Sequence, residues 1–425
     1  MKETTLHDTK DTFQLWTADL VCPVRDLPIR NGAVLTSKGK ILAVGEEKFV
    51  RPHNTLVTER RFENAILIPG LVNSHTHLEL SGIQTLPSKM SDWIPGLVSQ
   101  IREWPSHLFL SSSKIGTANS ISSGVTCVGD ISISGESHTA IVDAGMRGVV
   151  FHEVLGINSK EAKSIFDKKM NKIYKSNNYK GESNDFVRLG LSPHSPYSTS
   201  VELYERAVSY GSLNSCKVAT HLSESPAELQ FIETGAGPFQ TMYKKLGINM
   251  DFFEPYGCSP LEFFNQKGIL EKINIAVHCN QTDENDWRLL RTNNVYVCLC
   301  PRSASFFNHS MADILRMRDE GVMLCLGTDS LASSPSLSVL EEAIALREQD
   351  SSIEANELLA YCTISGSKAL GFEKEGVGSL MPGGVADFTA IQVPHEFKYI
   401  DLEHLFDKRS VVRCTVINGM IRFEK

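Results

Sequence analysis

Eight short apolar runs, each ending in polar or Gly-rich residues, constrain this chain more than any other feature. They are AILIPGLVNSHTH, GVTCVGDIS, RGVVFHEVLG, VRLGLSPHSPYS, KVATHLSES, NIAVHCNQT, VYVCLCPRS and VMLCLGTDS. Parallel strands are covered on both faces, so they read as nearly continuous apolar runs. Eight such runs alternating with helical stretches predict an α/β chain built on a (β/α)8 TIM-like barrel over residues 65–370. Between the runs, VELYERAVSYG and MADILRMRDEG have apolar residues near helical spacing and end in Gly, a helix-stop signal. The stretch from Leu222 to Leu270 is longer than an ordinary connection and predicts an insertion over the barrel mouth.

The two ends of the chain follow a different pattern. Residues 1–64 and 371–425 hold short apolar clusters broken by Gly, Pro and Asn. Neither end is long enough for its own core, which predicts one small β-sandwich domain built from both.

Bulk properties exclude some functions. The formal charge of -8 argues against a nucleic-acid surface, which needs a basic patch. No apolar run reaches the roughly 18 residues of a membrane span. The polar start MKETTLHDTKDTF lacks the apolar core of a secretory signal. Ten cysteines occur without a CxxC pair, and several sit inside apolar runs, as reduced core cysteines do. The expected location is the cytoplasm. The expected partner is a small molecule, with neither nucleic acid nor membrane; a homodimer is compatible with this sequence.

The polar residues gather at the C-terminal ends of the predicted strands, the face where barrel enzymes carry their chemistry. The first run ends in His75, Thr76 and His77, and a period of two puts both imidazoles on one side. The fifth run reaches His221, the sixth His278 and the eighth Asp329. Three neutral imidazoles and one carboxylate suit a borderline divalent metal with an open position for water. Zinc is the first expectation, and iron(II) or manganese(II) are accepted by the same donors. One HxH pair alone is more often a surface or core pair; the full set of four at strand ends is hard to obtain by chance.

PGLVNSHTHLE, HLSE, AVHC and GTDSLAS resemble the amidohydrolase superfamily, in particular its cytosine deaminase and chlorohydrolase-type branch. The resemblance covers nearly the whole chain, including PGGVADF near the C-terminus. It implies metal ligands at His75, His77, His221 and Asp329. It implies a proton-shuttling role for Glu224 in HLSE, a second role for Asp329 as acceptor of the water proton, and a water- or carbon-polarising role for His278. Dinuclear members carry a lysine on the fourth strand; VRLGLSPHSPYS has none, which implies one metal. Glu228, four residues after Glu224, is expected on a solvated helix face.

The same comparison bears on substrate. His194 in SPHSPYS matches a substrate-contacting histidine of S-adenosylhomocysteine deaminase-like members. Glu79 in HTHLE and Trp93 in SDWIPGL are candidate pocket walls, the carboxylate for ribose hydroxyls and the indole for purine stacking. HTHLELS, HLSES, CPRS and GTDSLASSPSLSVLEE are most similar to aminodeoxyfutalosine deaminases of the futalosine route to menaquinone. Ala304 stands where the related pattern commonly has Asn. Arg302 is open between a substrate carboxylate and a helix cap. The alternatives are deamination of S-adenosylhomocysteine, methylthioadenosine or guanine, a chlorohydrolase, or a metal-free scaffold, against which the retained ligands and Glu224 argue.

Overall fold

The computed structural model describes residues 13–53, 56–84, 86–176, 178–179, 186–397 and 399–425. Four strands come from the N-terminal part: β1 (Phe13–Val21), β2 (Ile29–Ser37), β3 (Lys40–Glu46) and β4 (Val57–Pro69). Eight follow: β5 (Leu71–Thr76), β6 (Val125–Ser132), β7 (Arg147–Val154), β8 (Val187–Pro193), β9 (Lys217–Leu222), β10 (Ile275–His278), β11 (Tyr296–Leu299) and β12 (Met323–Leu326). The last three are β13 (Phe388–Gln392), β14 (Val411–Ile417) and β15 (Met420–Glu424).

Strands β5 to β12 form one parallel sheet in sequence order. Its two ends meet along a seam. Thr328 N donates to His75 O at 3.0 Å, and Thr76 Oγ1 donates to Asp329 O at 3.0 Å. Asn73 exchanges side-chain hydrogen bonds with Thr328, 2.8 Å to Oγ1 and 3.1 Å from N. The chain is thus a TIM-like barrel, and its first and last strands are tied together at the residues that carry His75, His77 and Asp329. At Gly327 a Cβ would lie 2.7 Å from Cys298 Sγ and 2.8 Å from the His75 backbone oxygen, so the seam can close only over a glycine.

Strand periodicity explains the layers. Val149 and Phe151 of β7 join Val72, Cys127, Val277, Cys298 and Cys325 in the barrel interior, while Val150 packs outward. Phe372, Val377 and Val385 pack into the same interior cluster. Phe372 and Val377 therefore cap the barrel interior, and from Leu380 onward the C-terminal part joins the other domain: Leu380 N donates to Pro23 O, Gly383 N to Ile41 O, and Leu380 and Ala386 sit in the terminal sheet's core.

The first run also divides. Ala65–Pro69 belong to β4 and pair with β13, so AILIP is part of the terminal sheet and LVNSHT alone is the first barrel strand. The break falls at Gly70, where a Cβ would collide with the Thr126 side chain. The boundary expected at residue 65 lies at Gly70 because Ile66 and Ile68 face the barrel layer while Ala65 and Leu67 face the terminal domain's own core.

The chain ends merge as expected, in a seven-stranded sheet of order β15-β14-β13-β4-β1-β2-β3. Arg147 of β7 donates through Nε to Asp387 Oδ2 at 2.6 Å, with both side chains nearly inaccessible, and locks this sheet to the barrel. Removing one partner of a buried pair strands the other charge. Arg147→Ala is expected to cost about 3–5 kcal/mol of stability, read by denaturant unfolding. A cost below about 1 kcal/mol would show that the pair does not join the domains.

The Leu222–Leu270 insertion contains helices Pro226–Thr234, Pro238–Lys245 and Pro260–Gln266. Phe231, Phe239 and Tyr243 pack with Met90, Tyr197 and Phe307, which follow other strands at the same mouth. No described helix is long and apolar enough to cross a membrane.

Candidate metal centre

His75 and His77 leave β5 side by side, with ring centroids 5.0 Å apart. His221 reaches them from β9: its ring stacks on His77 at 5.4 Å and meets His75 at 4.9 Å. One ring nitrogen from each of the three lies within 4.8 Å of the others. His77 Nε2 and His221 Nε2 are 3.3 Å apart. His221 Nδ1 is 2.8 Å from the His194 carbonyl, which can only accept. Its proton therefore sits on Nδ1, and Nε2 presents a lone pair to the cluster.

The cluster fits a metal on its own geometry. Both ring nitrogens of His75 and Nδ1 of His77 are buried without a hydrogen-bond partner. Buried polar atoms are ordinarily satisfied, so these orphaned nitrogens call for a ligand. Burial, reinforced by His75, lowers the His77 imidazole to about 3, and burial takes His221 well below its usual range. The His77 and His221 rings are therefore neutral donors at neutral pH.

Asp329 completes the set. Its Oδ1 lies 3.6 Å from His75 Nε2 and 3.5 Å from His77 Nε2. Its Oδ2 accepts from the Ser303 and Ser333 hydroxyls, each at 2.7 Å, which turns Oδ1 toward the imidazoles. Burial pushes this carboxyl upward, but His75 and His77 outweigh it and hold Asp329 well below the usual range.

Glu224 and His278 stand beside this group. His278 Nε2 is 3.7 Å from Glu224 Oε1, and the His278 ring stacks on His221 at 5.7 Å. Burial lowers His278 to about 3. Burial, with Asp329 and Glu228 nearby, raises Glu224 well above a normal carboxyl. Two neighbouring carboxyls are driven apart, Glu224 toward the protonated form and Asp329 toward the ionised form. Carboxyls separated in this way can serve one as an acid and the other as a base.

The backbone here is strained. Ser223, His278, Cys279 and Asp329 all have positive φ, at 51°, 72°, 50° and 56°. Non-glycine residues in that region cost about 1–3 kcal/mol each and gather at functional sites.

Other candidates fare differently. His194 joins the centre: its ring lies 4.9 Å from His221, and its Nδ1 meets Ser198 Oγ at 2.6 Å. Trp93 stands at the mouth, with its indole N–H donated to Ala332 O at 3.2 Å and its ring edge on Phe307. Glu79 does not offer a carboxylate to the pocket. It is fully buried and accepts from the Ser132 and Ser134 hydroxyls and from the backbone N–H groups of Ile133, Ser134, Gly135 and Glu136. The pocket-wall expectation for Glu79 is corrected: the residue clamps the loop after β6. Arg302 is likewise consumed, by Glu342 at 2.7 Å, by Glu341 and by Ser336 and Ser338. It anchors the helix Val339–Gln349 and has no donor left for a substrate carboxylate. Ala304 is buried, its N–H donated to Cys300 O.

Glu228 overturns its expectation. It is fully buried, and its two oxygens accept from Ser223 N at 3.0 Å and Glu224 N at 2.8 Å. It fixes the strained turn that carries Glu224. The signal was available: Ser225-Pro226-Ala227-Glu228 has the S-x-x-E spacing of a capping box. Glu228→Ala leaves two buried N–H groups unpaired. The expected result is a folded, metal-loaded protein with kcat lowered about 10²-fold, as small misplacements of catalytic groups produce. Unchanged kcat would remove Glu228 from this role.

A parallel eight-stranded barrel with three histidines and an aspartate at its C-terminal mouth defines a metal-centred hydrolase. The amidohydrolase family model matches residues 66–422, and the chain belongs to that family as a hydrolase acting on carbon–nitrogen bonds. An aminodeoxyfutalosine deaminase from Nitratiruptor sp. is 29% identical over 343 residues, covering 78% of this chain and 80% of the relative. A 5-methylthioadenosine/S-adenosylhomocysteine deaminase from Halothermothrix orenii is 24% identical, covering 92% and 89%. The crystal structure of Helicobacter pylori aminofutalosine deaminase superposes with a TM-score of 0.81 at 20% identity, over 96% of this chain and 99% of that one.

Proposed function

We propose that the chain is a metal-dependent deaminase that replaces the amino group of an adenine-type nucleoside with oxygen and releases ammonia. The observation that carries this reading is the Glu224–His278 pair, with its carboxyl held toward the protonated form, next to three clustered imidazoles and an ionised Asp329. His75, His77, His221 and Asp329 are the residues that would hold one divalent ion, zinc fitting three imidazoles and a carboxylate best. When bound, such an ion supplies a water acidic enough to act as a nucleophile near neutral pH.

The side chains account for the protons. Glu224 delivers its proton to the ring nitrogen adjacent to the amino-bearing carbon. Asp329 Oδ1, the oxygen left free by Ser303 and Ser333, takes the proton given up by the attacking water. Neutral His278 orients the water against that carbon. Asp329 then passes its proton to the amine, the carbon–nitrogen bond breaks as ammonia leaves, and the hydroxyl proton returns to Glu224 as the ring keeps the oxygen as a carbonyl.

The substrate proposed is aminodeoxyfutalosine, within menaquinone synthesis. Support comes from the 29% identical relative and from the HTHLELS, HLSES and CPRS motifs. We place the enzyme in the cytoplasm, where its ten free cysteines would persist as thiols. The test is ammonia release by the purified protein across adenine nucleosides, with aminodeoxyfutalosine, methylthioadenosine and S-adenosylhomocysteine in parallel. The expected result is highest kcat/KM on aminodeoxyfutalosine. Preference for either of the other two by tenfold or more would replace the substrate while leaving the chemistry in place.

A further inference from the structure

Asp329 turns Oδ1 toward the imidazoles because two hydroxyls, those of Ser303 and Ser333, hold its Oδ2. The two serines arrive from different segments. Ser303 follows β11, in the short helix Pro301–Phe306, and Ser333 follows β12. To share one carboxylate oxygen, the two hydroxyls must keep a fixed separation. The residues next to each serine show what sets it.

Glu342 stands in the first turn of the helix Val339–Gln349 and is fully buried. Its Oε2 accepts from the backbone N–H of Arg302 at 2.9 Å, immediately before Ser303. That N–H is one of the first-turn donors that a helix cannot satisfy by itself. Its Oε1 accepts from Arg302 Nε at 2.7 Å and lies 3.4 Å from the hydroxyl of Ser334, immediately after Ser333. The guanidinium oriented in this way donates onward to Ser336 O at 2.8 Å and Ser338 O at 3.2 Å, in the loop downstream of Ser333. One carboxylate thus ties together the two segments that carry the serines, at the neighbour of each.

We infer that Glu342 is a positioning residue for Asp329: by fixing Arg302 and Ser334 it sets where Ser303 and Ser333 stand, and so keeps Asp329 Oδ1 facing His75 and His77. It touches neither the ligand nitrogens nor a substrate and moves no proton. The inference rests on the metal-dependent reading above and adds an outer residue to it. Outer partners of a metal-ligating carboxylate hold its geometry, and their loss typically costs about 10–100-fold in metal affinity or activity. The competing role is a buried ion pair with Arg302 that supports the fold alone. In that case folded, zinc-loaded protein would keep its rate without Glu342.

The experiment is a mutant cycle. Glu342→Gln is made in the wild type and in a Ser303→Ala/Ser333→Ala background. Glutamine keeps the shape but places an NH2 group where an Arg302 donor must land. Two quantities are read: the zinc Kd, by competition with a chromophoric chelator, and kcat on adenine nucleosides per bound zinc. In the wild-type background Glu342→Gln is expected to raise the zinc Kd and lower kcat, each about tenfold. Whichever of the two moves, the change should shrink to less than about threefold once the serines are gone, because Asp329 is then already free to turn. The same loss in both backgrounds would overturn the inference, as would no loss in either quantity. A Ser303→Ala/Ser333→Ala protein with wild-type zinc affinity and rate would overturn it too. Should Glu342→Gln not fold, Glu342→Asp carries the same comparison, since it keeps the charge opposite Arg302 and only shortens the reach. A wild type that binds zinc but deaminates no adenine nucleoside would sink the deaminase reading, while the zinc comparison would still decide on Glu342.

Discussion

Glu224→Gln is expected to lower kcat/KM on an adenine nucleoside by about 10³-fold, within the range that a positioned acid–base group contributes. Metal content and thermal stability should stay at wild-type levels. Glutamine matches glutamate in shape, and the turn that carries the residue is held through its backbone N–H by Glu228, not through the side chain. What changes is the proton. Burial keeps the Glu224 carboxyl well above its usual range, ready to give a proton to the ring nitrogen, and an amide has none of that acidity. Loss of rate with metal retained separates this role from that of His221, three residues earlier. Turnover within tenfold of wild type would show that the proton comes from elsewhere.

Removal of the divalent ion is expected to abolish turnover and to lower stability. Three imidazoles and the free oxygen of Asp329 converge on one spot, with both His75 nitrogens otherwise orphaned in the interior. Such a site costs the fold something when empty. Free metal at about a thousand times its Kd would contribute roughly 4 kcal/mol to unfolding, so dialysis against a chelator should lower the melting temperature measurably. Added zinc should restore both rate and melting temperature. Iron(II) or manganese(II) should restore them in part, since geometry and ligand type discriminate weakly among these ions. A protein that keeps full activity after exhaustive chelation, with no metal left by elemental analysis, would contradict the site.

How much of this was legible in the sequence differs from residue to residue. The barrel was readable because parallel strands are buried on both faces and leave unmistakable apolar runs. His75 and His77, at period two on one strand, declared their shared side. The break inside AILIPGLVNSHTH was not readable: two consecutive buried strands in different sheets look like one apolar run, and only the collision at Gly70 separates them. The second layer of the site was also hidden. Ser303, in the short helix Pro301–Phe306, and Ser333, in the turn after β12, reach Asp329 only through tertiary packing. Glu79 was misread because a carboxylate after a metal motif can face the pocket or the neighbouring loop, and spacing does not say which. Glu228 was misread because i+4 spacing names a helix face and not what lies against it.

The most direct test of the account is to follow the purified, metal-loaded protein on an adenine nucleoside in heavy-oxygen water, measuring ammonia and the mass of the product together. The account predicts one ammonia per product formed, with the solvent oxygen at the carbon that bore the amino group, and no turnover after chelation. Product without ammonia, ammonia without solvent oxygen in the ring, or no conversion of any adenine nucleoside by metal-loaded protein would contradict it.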